Sequence, residues 1–579
     1  MPDSTPVSPV PDSRRAEEAA EVGEPELLAG IEQKPLRKRL WVYTRLSGPG
    51  WLQSAITLGS GSLASGLYLG VLGGFAFLWL QPLAMVLGVV MLSAIGYVAL
   101  STGRRPFQAV NEHVNPVLGW AWALATAMAN VVWCLPQFSV GVSATRENLF
   151  PSLLGPGVMD DTTSKLIASA AILGICLVVI WFYDKGSRGI RIFEWVLKGM
   201  VGVVIVCFVG VVVQMSLKGA INWGKIAGGL VPDFRLLSEP ARTFDAFLTS
   251  TGQYAGYWKT LIVNNQRDVM ISAFATAVGI NMTFLLPYSM LAKGWRRRAR
   301  GLAVFDLSTG LFIPFILATG CVVISSAAQF HTRYDAALVG EAAPGEPAPP
   351  AKVVGQYNRL ADSRVKQQVG PEAYGKLSDT EKTKLRDALP VADKRMAAML
   401  INRDAFNLAE SLRPLTGKTF SHYVFGIGVV GMAISSIIIL MLISGFVICE
   451  MIGVPPKGNA HRLACLVPVI GVLGPFIWTG GKAQFWLAMP TSVFCGALIP
   501  IAYWSFFCLM NSRSLLGDNL PKGGRRIAWN ALMLVALAVV TPGSLWIIWN
   551  KAGWWGAGPL VAFLGLALAV HVARKRARQ

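Results

Sequence analysis

Charge is in short supply in this chain. Only 15% of its 579 residues are Asp, Glu, Lys or Arg, against about 25% in a soluble domain. With 53% apolar residues and a mean hydropathy of +0.49, that shortage excludes a soluble globule and implies an integral membrane protein. Acidic residues are the scarcer sign, 32 against 52 basic ones, for a net charge of +20. On a soluble protein such a surplus would suggest nucleic acid. Here the basic residues sit in short loops beside apolar runs, the distribution expected of cytoplasmic loops, so no nucleic-acid partner is implied.

Other absences narrow the class further. The eight cysteines (Cys134, Cys176, Cys207, Cys321, Cys449, Cys465, Cys495 and Cys508) lie in or at the edge of apolar segments without a CxxC pair. They read as small buried hydrophobes rather than a disulfide framework or a zinc site. There is no GxxxxGK[ST] loop for ATP, no HExxH, and no paired carboxylates or Ser/His couple within the apolar runs. Nothing therefore suggests an enzyme or a cofactor. Residues 1–33 lack the apolar core of a signal peptide; they are acidic and Pro-rich, as in a disordered tail.

What the chain has is long apolar runs. A membrane helix needs about 20 mostly apolar residues. Twelve runs qualify, at 48–72, 74–100, 117–143, 164–183, 190–216, 268–292, 302–328, 421–449, 463–481, 487–510, 526–550 and 555–573. Basic clusters precede the first run and follow every even-numbered one, from Arg104 and Arg105 after the second to Arg574, Lys575, Arg576 and Arg578 at the end. That alternation puts both termini in the cytoplasm, in a plasma (inner) membrane setting. The fold class is an all-α polytopic membrane protein of about 12 transmembrane helices. Its parts are a tail at 1–46, spans one to seven within 47–328 with an outward segment at 217–267, an extracytoplasmic insertion at 329–420, spans eight to twelve within 421–573, and a basic tail at 574–579. In the insertion, Ser378 and Glu381 have capping-box spacing and predict a short helix. The rest of that segment reads as a solvated outward cap.

Two spans carry their own interruptions. The first contains TLGSGSLASG, with Gly59, Ser60, Gly61 and Ser62 at mid-membrane, poor material for a continuous helix. The sixth reads AVGINMTFLLPYSML, where Pro287 cannot donate to Thr283 and Asn281, Thr283, Tyr288 and Ser289 cluster nearby. Non-helical backbone at membrane depth is tolerated only where it is buried in protein or lines a cavity. Two breaks five spans apart point to an inverted repeat with a solute site at the midplane.

At these residues the chain resembles the Nramp family of metal-ion transporters. GPGWLQSAITLGSGS is similar to that family's first span with its DPGN break, and LLPYSML lies where the family has MPH. FSHYVFGIGVVGMAISSII, with Ser435 and Ser436, resembles the eighth span, and GALIPIAYWSFFCLMNSRSLLGD the tenth. The resemblance covers about residues 46–573 outside the two outward segments. It implies a LeuT-type 5+5 inverted repeat plus two extra C-terminal spans, and a secondary transporter moving a small ion or solute by alternating access. In the family the Asp and Asn of DPGN and the Met of MPH hold the metal; those positions here are Gly59, Ser62 and Leu286, and the family's His is Tyr288. The third-span acids tied to proton movement fall near Leu135 and Phe138, with Asn130 and Gln137 beside them, and amides carry no proton at ordinary pH.

The candidate substrate-binding residues are Gly59, Ser60, Gly61, Ser62, Thr283, Leu286, Tyr288 and Ser289. If a cation binds, Ser62 and the backbone at Gly59 and Thr283 would supply oxygens for a hydrated ion such as Mg²⁺. Two alternatives stand beside ion transport. The N–H groups of a Gly-Ser-Gly turn at a half-helix start favour an anion, so an amino acid or small carboxylate could be the solute. A non-transporting receptor on the same scaffold would have the insertion as its working part. Asp306, Glu194 and Glu450 read as interfacial partners of nearby Arg and Lys, and His113, His422 and His461 as surface residues. Gln53, Gln81 and Asn130 read as polar groups paired within the bundle.

Overall fold

The computed structural model describes residues 28, 30–183, 186–342, 348–403, 405–417, 423–477 and 488–578. The expectations for the tail before residue 28, for His422, and for the junction of the ninth and tenth spans at 478–487 fall outside the described residues. The fold is helical, and the only β-pairing among the described residues is an isolated bridge, Pro156 to Met159.

The first span is two helices, α1 (Pro49–Thr57) and α2 (Ser60–Gly73). Then come α3 (Leu80–Thr102), α4 (Pro116–Ala144), α5 (Asp161–Tyr183) and α6 (Gly186–Leu217). The sixth span is again two helices, α7 (Ala255–Ala277) and α8 (Ile280–Ala292). The seventh ends in α9 (Ile313–Phe330), and the eighth is α10 (Phe425–Met451). The segment Gly458–Ile477 is the ninth, α11 (Ala488–Met510) the tenth, and α12 (Gly523–Ile547) and α13 (Gly553–Arg578) close the chain.

Among the described residues, eleven helical segments are long and apolar enough to cross a bilayer, and the last, Gly523–Arg576, runs for 54 residues. At 1.5 Å per residue that is about 80 Å, more than twice a bilayer core. It folds as a hairpin. Arg526 near its start bonds Asn511 at 3.2 Å, and Arg574 at its end bonds the Asn111 carbonyl at 2.7 Å. The loops after α3 and α11 are themselves joined, His113 to Ser514 at 2.9 Å. Both ends of the segment therefore lie on the face that carries the basic loops.

Two expectations about the sixth span need correction. Its first helix begins at Ala255, not 268, so the segment expected to face outward is shorter, and YAGYWK caps and opens that helix. The polar run Asn264–Asp268 hid this, yet its side chains are satisfied by neighbours. Gln266 accepts from the Ala241 N–H at 3.2 Å and donates to the Leu236 and Glu239 carbonyls at 2.9 Å, and Asp268 pairs with Lys551 at 2.7 Å. Nor is Pro287 the break: α8 runs through it. The chain leaves helical geometry eight residues earlier, at Val278 and Gly279.

Burial orders the bundle. Every residue of α2 is buried, as are nearly all of α8 and α10. By contrast α5, α6, α12 and α13 expose apolar side chains such as Trp181, Val206, Leu532 and Trp555. The broken helices form the centre and the unbroken outer ones face lipid. Of the cysteines, six are buried, but Cys508 is exposed on α11 and Cys321 half-buried, a departure from uniform burial that costs little where the surroundings are lipid.

Candidate functional site

The first break is two residues long. Thr57 ends α1, Leu58 (φ −80°, ψ 63°) and Gly59 (φ −118°, ψ −172°) turn the chain, and Ser60 starts α2. In the second, Val278 (φ −140°, ψ 97°) and Gly279 (φ −75°, ψ 162°) separate α7 from α8. The two face each other across a cavity of ≈20 Å³. Thr57, Gly59, Gly61 and Ser62 line it from one break and Gly279, Asn281 and Met282 from the other, with Trp133 and Gln137 reaching in from α4.

A break frees main-chain groups that each cost several kcal/mol if left unpaired in an apolar setting, about 4–8 in the least polar reference. Here they are met by side chains. Ser435 of α10 donates to the Ala55 carbonyl at 3.0 Å, and Ser436 lies 3.2 Å from the same oxygen and 3.3 Å from that of Ile56. The Ser62 hydroxyl donates to the Thr57 carbonyl. Gln137 Oε1 accepts from the Ser60 N–H at 2.9 Å, and Asn281 Oδ1 from the Met282 N–H at 3.0 Å. Gln53 Nε2 donates to the Met282 carbonyl at 3.3 Å. The Thr57 hydroxyl stands 3.0 Å from the Met282 sulfur.

Of the residues expected to bind substrate, Gly59, Gly61 and Ser62 line the cavity. Ser60 meets Gln137 through its backbone, and its buried hydroxyl has no hydrogen-bond partner among the described residues. Thr283, Leu286, Tyr288 and Ser289 lie further along α8, off the cavity. Thr283 accepts from Trp122 Nε1 at 3.0 Å and donates to the Ile280 carbonyl. Leu286 packs near Gly96 of α3. Tyr288 stacks on Phe284, centroids 4.5 Å apart, and Ser289 donates to the Leu286 carbonyl at 2.8 Å. For the cation set, the Ser62 hydroxyl is already engaged with Thr57, Gly59 is in place, and Thr283, next to the lining residue Met282, does not itself line the cavity.

Met282 and Trp133 are among the cavity residues that sequence reasoning missed, with Thr276 and Gly279. A methionine in an apolar run is silent, but Met282 is four residues before Leu286, so both sit on one face of α8. With the break at Gly279, that face meets the cavity at Met282. Gln137 explains the fate of the first-span acid. A Cβ on Gly59 would stand 2.5 Å from Ser436 Oγ and 2.8 Å from Gln137 Nε2. The space a carboxylate would need is filled by these two polar side chains.

On the basic face the start of α1 is held by a second cluster. Asp306 is fully buried and accepts from the Ser47 hydroxyl, the Gly48 N–H at 3.0 Å and the Gly50 N–H at 2.6 Å. Its partners are thus neutral donors at a helix N-terminus, not the Arg or Lys expected. Glu194 does pair with Lys293 at 3.0 Å, and Glu450 with Arg105 at 3.3 Å. His461 is not a surface residue: it is 1% exposed, its ring set against Phe446 and Tyr183. Of the buried amides, Gln53 and Asn130 each use one side-chain atom, Asn130 donating to Ser444 at 3.0 Å. Both side-chain atoms of Gln81 lack a partner among the described residues.

Two half-helix pairs meeting at a small cavity define the class: a polytopic helical membrane protein with the LeuT-type inverted repeat. Solved structures agree on the fold. A variant of the Eremococcus coleocola manganese transporter superposes with a TM-score of 0.62, covering 93% of this chain and 96% of that one at 13% identity. The family model for natural resistance-associated macrophage protein-like sequences matches residues 50–343 and 394–549. The chain belongs to that family, Nramp. Sequence relatives include the metal transporter Nramp4 of Arabidopsis thaliana, 24% identical over 34% of each chain. Another is the divalent metal cation transporter MntH of Brucella suis, 24% identical over 33% of this chain and 38% of the relative. These matches span only about a third of the relatives' length.

Proposed function

We propose that the protein is a secondary transporter that carries a small metal ion through the cavity between the two breaks by alternating access. The observation that carries this reading is the cavity itself: ≈20 Å³ at the meeting point of four helix ends, room for about one water-sized occupant. An amino acid or carboxylate does not fit in this conformation. The names of the matched relatives, metal transporters all, support the same class of cargo. We place the basic-loop face and both termini in the cytoplasm of a plasma (inner) membrane, on the strength of the loop charges.

The test is uptake by sealed liposomes containing the purified protein. The expected result is saturable entry of a metal ion, reduced about tenfold or more by Gly61→Val. That side chain would strike Trp133 and Thr276 across the cavity. Absence of uptake for every metal ion tried, with folded protein in the membrane, would remove this reading.

A further inference from the structure

Resting on that reading, we infer that the cargo is a singly charged metal cation, of the soft kind that thioethers bind, and not a divalent ion such as the one the MntH relative is named for. The argument starts from charge. Among the described residues the cavity is lined by no Asp, Glu, Lys, Arg or His, and no group of three or more His, Cys, Asp or Glu side chains comes together as a metal site. The acid at the start of α1, Asp306, spends its carboxylate on Ser47, Gly48 and Gly50, and the nine residues of α1 hold it about 13 Å from the break.

Taking an ion out of water costs free energy in proportion to the square of its charge, whereas attraction to fixed neutral dipoles grows only in proportion to the charge. A divalent ion thus has four times the desolvation cost of a monovalent one and only twice the compensation, unless a carboxylate stands by. Gly59 carries none, and the space a side chain there would enter is taken by Ser436 and Gln137.

The remaining donors choose the sign and the softness. Met282 offers sulfur, and Gln137, Asn281 and Thr57 offer neutral oxygen. An anion would find no cationic side chain, and at each helix start one N–H is already answered, that of Ser60 by Gln137 and that of Met282 by Asn281. Thioether sulfur prefers soft ions such as Cu(I) over hard ones. The Thr57 hydroxyl 3.0 Å from that sulfur holds it at the break rather than in the packed interior of α8.

The probes are Ag⁺ as a soft monovalent ion, K⁺ as a hard one, and Mn²⁺ and Mg²⁺, each supplied as nitrate to liposomes carrying the full chain. Ag⁺ is expected to enter fastest, with Mn²⁺ and Mg²⁺ about tenfold slower or worse, and Met282→Leu should lower Ag⁺ entry about tenfold. Asn281→Asp keeps the acceptor for the Met282 N–H and adds a carboxylate, so it should raise Mn²⁺ entry relative to Ag⁺. That gain keeps the test informative if Met282→Leu fails to fold. Mn²⁺ or Mg²⁺ carried faster than both monovalent ions by the natural sequence would overturn the inference while leaving ion transport intact. K⁺ carried in preference to Ag⁺, unaffected by Met282→Leu, would overturn the role of the thioether. Entry of none of the four would overturn the inference and the transport reading together.

Discussion

Single side chains stand in for missing main-chain partners at the centre of this protein, and Gln137 shows how tightly. Its oxygen takes the Ser60 N–H while its amide nitrogen fills the space beside Gly59. Gln137→Leu keeps the volume and strands that N–H, a loss of about 1–3 kcal/mol. Gln137→Glu keeps the acceptor and should be far milder. Thermal unfolding of the two purified variants against the natural sequence checks this, and equal losses would mean that the hydrogen bond contributes little. The sequence exposed part of this. Gly59, Gly61 and Ser62 were legible because small residues at mid-span have few other uses. Gln137 was visible as a polar residue at depth but without a task, since its partner lies 77 residues away. Met282 was invisible, because only the position of the break decides whether a methionine faces a cavity or a core.

At the scale of helices, the contrast is between Pro287 and Gly279. Proline looked like the interruption because it removes a donor, yet a membrane helix can absorb it when neighbours pack against it, and α8 does. Pro287→Ala is therefore expected to leave uptake unchanged and not to destabilise the protein, alanine being the better helix former by up to about 3 kcal/mol. The double substitution Ser435→Ala with Ser436→Ala should behave differently. It removes the hydroxyls that meet the Ala55 and Ile56 carbonyls and should cost about 1–3 kcal/mol, with faster amide exchange in α1. If exchange in α1 stays as slow as before, α10 does not hold that helix. The opposite end of the first span carries a pH-dependent tie. His331 lies between the Val71 carbonyl, 2.9 Å from Nδ1, and the Thr243 hydroxyl, 2.6 Å from Nε2. Nδ1 therefore carries the proton and Nε2 accepts, the neutral form. Burial lowers its pKa below the ordinary 6.5, so the unfolded chain binds this proton more readily. Stability from this group is complete above 6.5 and falls as pH drops toward the lowered folded value. Between about pH 7.5 and about pH 5.5 the natural protein should lose more thermal stability than His331→Asn.

For the whole molecule, the open matter is what the insertion contributes, since composition marked 329–420 only as a solvated cap. One detail of it was legible: the capping box of Ser378 and Glu381 opens the helix Asp379–Asp387. Its attachment was not, because it depends on residues far apart in sequence. Asp393 and Arg364, each about 1% exposed, pair at 3.0 Å, and Asp393 also accepts from Trp258 Nε1 at 2.6 Å. Arg364 in turn lies over the Tyr254 ring at 3.1 Å. Trp258 belongs to α7, about 29 Å along that helix from the break. The insertion is thus fastened to α7, one of the two helices that form the cavity, at its end farthest from the break, and a helix is stiff enough to pass a displacement along its length. Asp393→Ala leaves a buried guanidinium without its carboxylate, a loss of about 3–5 kcal/mol in the insertion. Protease cleavage within 351–399 should rise, and the rate of metal-ion uptake should change with it, because α7 loses the anchor at its start. Cleavage that rises while uptake stays the same would reduce the insertion to a passive cover; a change in both would make it part of the machinery that moves α7.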